Sequence, residues 1–342
     1  DALRFTMLVG STPGNDTNVG PKKVEANRNF ANKSWNVGRF VISAISNQQS
    51  ADQLADYTLA DSWIWAKLQQ LVRDVERLFQ NFQYGQAGQQ IYDFIWSDFA
   101  DWYVEIAKQD LVEGGSRAAR AADTLARVFD MSLRLLHPFT PFVTEELWGH
   151  LRSAILESPF KEIAKDWPAA LIIARWPEPR DAEGWEESKI ADFELVQEIV
   201  RSIRNLRAEK GVAPSKRIAA TIAAGAKVDL LSEQSKVLAA LAGLNESELI
   251  IAQSLTDKPR DSVALVIGSV EAYLPLAGMV NLAEEKSRLE KELKEANAHI
   301  ERLEKLLASD FAHKAPAALV QKERDKLAAY KETAEKIKAQ LK

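Results

Sequence analysis

Residues 135–148 read LLHPFTPFVTEELW, a stretch that ends one helix and begins another. The apolar run ahead of Pro138 stops being helical near His137, because a residue before proline is pushed out of the α region. Thr140 then stands where it can cap the next helix, and Pro141 has the backbone angle of a first helical position. The stretch predicts a rigid corner between two helices, with these apolar side chains packed inside it: Phe139, Phe142, Leu147 and Trp148.

Apolar residues at helical spacing extend on both sides of this corner. They predict helices at about 24–45, 60–84, 86–112, 117–137 and 186–210. In the third of these helices, Phe99, Trp102 and Tyr103 share one face, so we expect them in a core. The proline-containing tract at 158–184 is expected to run over the surface.

The helix that begins near Val24 carries many polar amides among its basic residues. Asparagine is a poor helix former, and each side-chain amide needs hydrogen-bond partners. These amides either bond to neighbouring backbone or face a ligand, and the spacing leaves both interpretations open. The polar residues are Asn27, Arg28, Asn29, Asn32, Lys33, Asn36 and Arg39.

The spacing of the apolar residues is no longer helical after residue 217. Short apolar runs predict strands at 218–222, 249–252, 263–267 and 270–274, with a helix near 230–242, which makes a small α+β unit. Two heptad helices follow, one carrying Leu289, Leu293, Ala296, Ile300, Leu303 and Leu307, the other Val320, Glu323, Leu327, Tyr330, Ala334, Ile337 and Leu341. The break between them at 309–316 is short, so we expect an antiparallel hairpin.

Composition narrows the classes of function. The net charge of −5 argues against a generally basic nucleic-acid binder, so any RNA contact must come from local patches. The absence of cysteine excludes disulfides and thiolate metal sites, and the 4 scattered histidines argue against a metal cluster. The sequence has neither a long apolar span nor a basic-then-apolar leader, so we expect a soluble cytoplasmic protein without a cofactor.

Several separated stretches resemble the valyl-tRNA synthetases, a family of class I aminoacyl-tRNA synthetases. The corner at 135–148 is similar to one in the anticodon-binding bundle of the valine, isoleucine, leucine and methionine enzymes. Three stretches resemble the valine family in particular, namely NFANK at 29–33, IRNLRAEKGVAPSK at 203–216 and FAHKAP at 311–316. The resemblance covers essentially the whole chain, which contains neither of the class I catalytic signatures, His-x-Gly-His and Lys-Met-Ser-Lys-Ser.

The resemblance implies a mainly α fold in four parts. Residues 1–21 would be a connector after an absent catalytic domain, 22–211 an anticodon-binding helix bundle, 212–280 a small α+β domain, and 281–342 a tRNA-binding coiled coil. The implied partner is tRNA(Val), and the chain would carry out no chemistry itself. Because the two heptad helices are expected to pair within one chain, we expect a monomer. ATP and magnesium would be used only by the catalytic domain of the parent valine–tRNA ligase.

The resemblance also implies particular contacts with tRNA. The family's anticodon-stacking aromatic corresponds to Phe40, a basic anticodon contact to Lys22, and an apolar one to Val104. Contacts with the tRNA elbow correspond to Arg302 and Lys326. Lysine stands at position 22 where some relatives have arginine, and at position 326 it again replaces an arginine. The two side chains bind anions in different geometries.

Two other interpretations fit parts of the sequence. A helical scaffold without enzymatic activity, pairing with another protein through its heptads, would suit the acidic composition. The chain could also be the equivalent part of an isoleucine, leucine or methionine synthetase, which the resemblance of the tail disfavours.

Overall fold

Helices form most of the first two hundred residues in the computed structural model. The structure describes residues 1–9, 19–50, 53–255, 257, 259, 262–275, 282–308, 321, 323–328, 330–331 and 334, with the backbone alone for 282–292 and 296. The helices are α1 (Ala2–Leu8), α2 (Pro21–Ser46), α3 (Leu59–Gln80), α4 (Tyr84–Asp93), α5 (Val104–Glu113), α6 (Gly115–Leu136), α7 (Pro141–Leu156), α8 (Glu186–Glu209), α9 (Val228–Glu233), α10 (Ser235–Ala242) and α11 (Leu282–Ala308). The strands are β1 (Ile218–Ala223), β2 (Leu244–Ala252), β3 (Ser262–Ile267) and β4 (Val270–Pro275). The predicted mainly α fold with a small sheet is confirmed.

Contacts divide the chain into two compact units. One contains Asp1–Val200 with Lys236–Leu241, and the other contains Arg201–Ser235 with Ala242–Lys342. The division lies within α8, about ten residues before the boundary predicted at 211. The four-part division of the chain stays a prediction.

The corner between α6 and α7 forms where the sequence predicts it, and of its four apolar side chains three are buried as predicted. Phe139, Leu147 and Trp148 are buried. The indole Nε1 of Trp148 donates to Asp130 Oδ1 at 2.7 Å, which joins the two helices inside the corner. Phe142, predicted to pack inside, is 76% exposed. It occupies the second position of α7, where its side chain points away from the corner.

The residue that caps α7 differs from the predicted one. Thr140 is the N-cap by position, yet its side chain makes no capping hydrogen bond. The carboxylate of Asp1 instead accepts from the backbone N–H groups of Phe142 at 3.3 Å and Val143 at 2.7 Å. A carboxylate at a helix N-terminus also suits the positive end of the macrodipole. The cap therefore comes from a residue distant in sequence.

The predicted connector at residues 1–21 contains α1, which belongs to the bundle core. Phe5 is buried, and its ring lies 5.2 Å from that of Phe30 and 6.2 Å from that of Phe139. Residues 10–18 lie outside the described residues. The first residues of the chain therefore pack as part of the helical unit.

A π-helix, Phe94–Tyr103, follows α4 directly and leads into α5. The sequence predicts one uninterrupted α-helix at 86–112, because the apolar spacing does not distinguish a π segment. The predicted burial of the aromatic residues in this segment is confirmed for Phe99, Trp102 and Tyr103.

The second unit contains a four-stranded sheet in the order β2-β1-β4-β3. β1 pairs with β2 in parallel and with β4 antiparallel, and β3 pairs with β4 antiparallel. The buried guanidinium of Arg207 donates to the carbonyls of Gly243 at 2.7 Å, Ala213 at 3.2 Å and Lys216 at 2.8 Å. One arginine therefore joins the end of α8 to two segments that flank the sheet.

Gly243→Ala is expected to lower the free energy of unfolding by about 2–3 kcal/mol. Gly243 has φ +71, and a Cβ there would lie 2.9 Å from Cζ of Arg207. Gly268→Ala is the matched control, because Gly268 has φ +57 and none of the described residues lies within 4 Å of a Cβ there. Urea unfolding should show a loss at least about 1 kcal/mol larger for Gly243→Ala than for Gly268→Ala. Equal losses of unfolding free energy would show that the Arg207 side chain can move to make room for the added Cβ.

The tail is helical wherever it is described. Residues 321, 323–328, 330–331 and 334 are helical, and Leu303 and Ala334 are buried. The rings of His299 and Tyr330 stack at 4.8 Å. These contacts pack the second heptad segment against α11, whereas the predicted turn at 309–316 lies outside the described residues.

Candidate nucleic-acid interface

The outer face of α2 carries a stripe of amides. Asn29, Asn32 and Asn36 are exposed, and within the described part of the chain none of them has a hydrogen-bond partner. Asn27 differs, since its Nδ2 donates to Thr6 Oγ1 at 2.8 Å and fixes α2 on α1. Of the two interpretations that the sequence left open, backbone bonding does not account for the three exposed amides. Their donors and acceptors face solvent, where a ligand could also reach them.

Phe40 lies near the end of α2 beside a large cavity. The cavity has a volume of about 1120 Å³ and is lined by the end of α2, the end of α5 and the start of α6. The Phe40 ring is partly exposed, and Lys108 Nζ lies 5.7 Å from its centroid. Lys108 also donates to Glu105 Oε1 at 2.6 Å, which holds the ammonium near the ring. The cavity therefore offers an accessible aromatic surface with a cation next to it.

The start of α6 forms one wall of this cavity through Gly115 and Ser116. Gly114 and Gly115 have φ +81 and +59, and no atom of the described part of the chain lies within 4 Å of a Cβ built on either. The backbone turn between α5 and α6 is what favours glycine at these positions. Among the residues that the structure describes, no side chain caps α6, so its positive end attracts anions locally.

A buried charged network fixes the start of α6 against α3. Asp61 is completely buried and accepts from Tyr103 OH at 2.6 Å and from Arg117 Nη2 at 2.6 Å. Arg117 also lies 3.2 Å from Asp110 Oδ2 and donates to the carbonyl of Asp56 at 2.9 Å. Burial, and then the charge of Asp61, raise the pKa of Tyr103 well above its ordinary value. The wall of the cavity is thus held by groups that are largely buried.

Asp110→Asn should remove part of the pH dependence of stability. Burial raises the Asp110 pKa from 3.8 to about 6, although Arg117 opposes the shift. The folded protein therefore binds more protons at this site than the unfolded chain between those values, and stability rises as the pH falls from 7 towards 5. Asparagine does not titrate. When the pH is lowered from 7.5 to 5, the thermal unfolding midpoint of Asp110→Asn should therefore rise less than that of the unmodified chain.

Asp166→Asn is the control for that comparison, because Asp166 is exposed. It should show the same rise in midpoint as the unmodified chain over this pH range. An identical rise in Asp110→Asn would contradict the prediction.

The structure does not bring all three predicted anticodon residues together. Lys22 is exposed in the first turn of α2, 18 residues before Phe40, which is about 27 Å along the helix axis. Val104 is 4% exposed and lies one turn before Lys108 on α5, so its side chain has a packing role in the structure. Phe40 alone combines an exposed surface with the cavity. The three anticodon contacts stay predictions.

The cavity also involves residues that the sequence did not single out. Lys108 carried no signal beyond its charge, and its approach to Phe40 depends on how α5 packs against α2. Gly114 and Gly115 were recognisable only as the end of a helix. The amides of α2 are a surface feature that the sequence analysis did identify.

The predicted elbow residues lie on the exposed surface of the tail. Arg302 is exposed next to the buried Leu303. Lys326 is exposed, and its Nζ lies 2.7 Å from Glu323 Oε1. The two segments that carry these cations contact each other, since His299 stacks on Tyr330 and Lys331 Nζ lies 2.6 Å from Glu304 Oε1. The two elbow contacts stay predictions.

Two family models match the chain. The anticodon-binding domain of tRNA ligases matches residues 61–222, and the valyl tRNA synthetase tRNA binding arm matches residues 281–342. The first match begins at the third residue of α3 and contains the π-helix and α6, whereas α2 with Phe40 lies before it. The second contains α11 and the helical segment packed against it.

Curated relatives match the chain from end to end. A valine–tRNA ligase of Dehalococcoides mccartyi (strain CBDB1) is 38% identical over 340 residues, which is 99% of this chain and 38% of the relative. One of Geobacillus kaustophilus is 38% identical over 350 residues, covering 100% of this chain and 38% of the relative. One of Symbiobacterium thermophilum is 36% identical over 356 residues, with the same coverage of 100% and 38%. The chain thus spans little more than a third of the length of these relatives.

Proposed function

Because the chain belongs to the valyl-tRNA synthetase family, we propose that it is the tRNA-recognition part of a valine–tRNA ligase. It would hold tRNA(Val) while a catalytic part, corresponding to the rest of the relatives' length, attaches valine with the use of ATP and magnesium. The observation that carries this proposal is the presence of two different tRNA-binding domains in one chain. The chain itself would need no cofactor and would act in the cytoplasm.

The cavity at Phe40 suits the anticodon loop. Bases of a single-stranded loop can leave the stack and lie on an aromatic ring, and such stacking contributes about 1–3 kcal/mol per base. The amides of Asn32 and Asn36 precede Phe40 on α2 and could bond to base edges or to sugars. The positive end of α6 and Lys108 would attract the phosphates between the bases. Stacking and hydrogen bonding would thus supply affinity that the acidic chain lacks as a whole.

Arg302 and Lys326 suit a different part of the same RNA. Exposed cations on a rod-shaped helical pair can follow a phosphate backbone, and such contacts position an RNA without reading its sequence. We place them at the elbow of tRNA(Val). The anticodon contacts would then give discrimination and the coiled coil would give additional affinity.

Lys326→Ala should weaken binding of whole tRNA(Val) while leaving an isolated anticodon hairpin unaffected. Loss of one phosphate contact should also reduce the slope of log affinity against log salt concentration by about 1. Fluorescence anisotropy with both RNAs at several salt concentrations measures each effect. Lys165→Ala is the matched control, since Lys165 is an exposed lysine of the other unit.

The two outcomes of this experiment test different parts of the proposal. If Lys326→Ala weakens the hairpin and whole tRNA equally, the assignment of the tail to the elbow is wrong. If the unmodified chain binds neither RNA at low salt, the proposed function fails.

A scaffold that dimerises through its heptads is the second candidate, favoured by the net charge of −5. We propose instead that the heptads are used within one chain and that the protein is a monomer. The stacking of His299 on Tyr330 supports this, since it joins the two heptad segments of the same chain. Sedimentation equilibrium separates the candidates, because a scaffold would gain mass with concentration.

A further inference from the structure

A second cavity lies on the first unit and shares no lining residue with the cavity at Phe40. Its volume is about 450 Å³, and it lies between the segment before α3, the start of α3, the middle of α6 and the segment before α8. Three aromatic rings and three guanidinium groups contribute to its wall, those of Tyr57, Trp65, Trp185, Arg120, Arg127 and Arg180. We call it the arginine–aromatic cavity.

Two of the guanidinium groups lie over aromatic rings. Cζ of Arg120 is 4.2 Å from the centroid of Tyr57, and Cζ of Arg180 is 5.3 Å from that of Trp65. A guanidinium stacked on a ring uses its face for the contact and keeps its N–H edges in plane and available. Arg120 is fixed further, since its Nε donates to the carbonyl of Ala55 at 2.7 Å. The two pairs thus place guanidinium donors beside aromatic surfaces.

The charges in this cavity are only partly balanced. Asp123 is buried and pairs with Arg127 Nε at 2.9 Å and with Arg120 Nη1 at 3.5 Å, so one carboxylate serves two arginines. Glu183 accepts from Trp185 Nε1 at 2.9 Å. Among the residues that the structure describes, no carboxylate pairs with Arg180. The cavity is therefore a local positive site on a chain whose net charge is −5.

The rings are open to a ligand as well. Tyr57 is 55% exposed, and Trp65 and Trp185 are each partly exposed. An exposed tyrosine and two accessible indoles around one concavity provide surfaces on which a planar ring can stack. A purely anionic ligand would use the arginines and leave these surfaces empty. A ligand that has both a planar ring and a phosphate would use both.

We infer that the arginine–aromatic cavity binds a nucleotide, with the base stacked on the exposed rings and the phosphate bonded to Arg127 and Arg180. A volume of about 450 Å³ is within the usual range for small-molecule sites, which is roughly 300–1,000 Å³. The ligand could be a free nucleotide or one nucleotide of a single-stranded RNA, since the recognised groups are the same. The inference rests on this cavity alone and does not require the proposed function.

The test is a titration of the whole chain, labelled with ¹⁵N at its tryptophan side chains, with AMP and UMP. The indole signals of Trp65 and Trp185, assigned from their Trp→Phe variants, should shift. AMP should bind more tightly than adenosine or inorganic phosphate, because each of those lacks one of the recognised groups. No shift of either signal at millimolar nucleotide, or equal affinity for AMP and inorganic phosphate, overturns the inference.

Arg180→Ala should weaken the binding of AMP by about tenfold, the effect of one charge-assisted contact with phosphate. Arg180 is exposed, so this variant should fold. Arg77→Ala is the matched control, because Arg77 is an exposed arginine of α3 that lines neither cavity. Unchanged affinity of Arg180→Ala overturns the inference.

A short single-stranded oligouridylate separates the two sources of the nucleotide. Tighter binding than UMP at the same indole signals assigns the site to RNA, and binding of the mononucleotide alone assigns it to a free nucleotide. Phe40→Ala should leave all of these shifts unchanged. If that variant abolishes them, the nucleotide binds in the other cavity and the inference fails, while the proposed function stands.

Discussion

Phe40→Ala is expected to weaken the binding of an isolated anticodon hairpin of tRNA(Val) by about tenfold or more. Removal of one aromatic stacking surface costs about 1–3 kcal/mol per base, and 1.4 kcal/mol corresponds to a factor of ten. The ring is partly exposed at the edge of a cavity of about 1120 Å³, so its loss removes a binding surface. Fluorescence anisotropy with a labelled hairpin measures the change.

Two further variants make the result specific to the ring. Phe40→Trp keeps an aromatic surface and should retain most of the affinity, whereas Phe40→Leu keeps only apolar bulk and should resemble alanine. Phe142→Ala is the matched control, since Phe142 is 76% exposed on α7 and lines neither cavity. Thermal unfolding of each variant checks that the fold is intact. Full affinity of Phe40→Ala for the hairpin would exclude stacking at this position.

Asp61→Ala is expected to lower the free energy of unfolding by about 3–5 kcal/mol, the usual cost of removing one partner from a buried ion pair. The substitution leaves the guanidinium of Arg117 and the hydroxyl of Tyr103 without the carboxylate that both contact at 2.6 Å. It also removes the capping box at the start of α3, in which Asp61 accepts from the backbone N–H of Thr58 at 2.9 Å. Urea unfolding followed by tryptophan fluorescence measures the loss.

Asp74→Ala provides the comparison on the same helix. Asp74 forms an exposed pair with Arg77 at 3.1 Å, and such surface pairs contribute at most about 1 kcal/mol. A loss for Asp61→Ala no larger than that for Asp74→Ala would show that the buried network is dispensable. Because Arg117 lies at the start of α6, Asp61→Ala should also weaken hairpin binding at temperatures where the chain stays folded.

The helical corner shows how far the sequence determines this fold. Pro138 and Pro141 restrict the backbone locally, so the corner and the burial of Leu147 and Trp148 could be predicted. The cap of α7 could not, because Asp1 reaches it through the tertiary fold and not through sequence proximity. The predicted burial of Phe142 was wrong for a related reason. A corner with two prolines has an inner and an outer side, and Phe142 lies on the outer one.

The candidate interface, like the corner, could be predicted only in part. The amides of α2 could be recognised in advance because asparagine is costly in a helix unless its side chain has a role. The approach of Lys108 to Phe40 depends on the packing of α2 against α5, for which the sequence contains no local signal. Val104 was predicted as a contact by resemblance and is buried, a property that depends on which side of α5 packs inward.

The π-helix at Phe94–Tyr103 separates α4 from α5, and Lys108 lies five residues after it. Each residue of an α-helix turns the chain by about 100°. Deleting one residue from the π segment would therefore rotate α5 about its axis relative to α4, and would carry Lys108 away from Phe40. An insertion or deletion in this segment therefore changes the direction in which every side chain of α5 points, without replacing any of them.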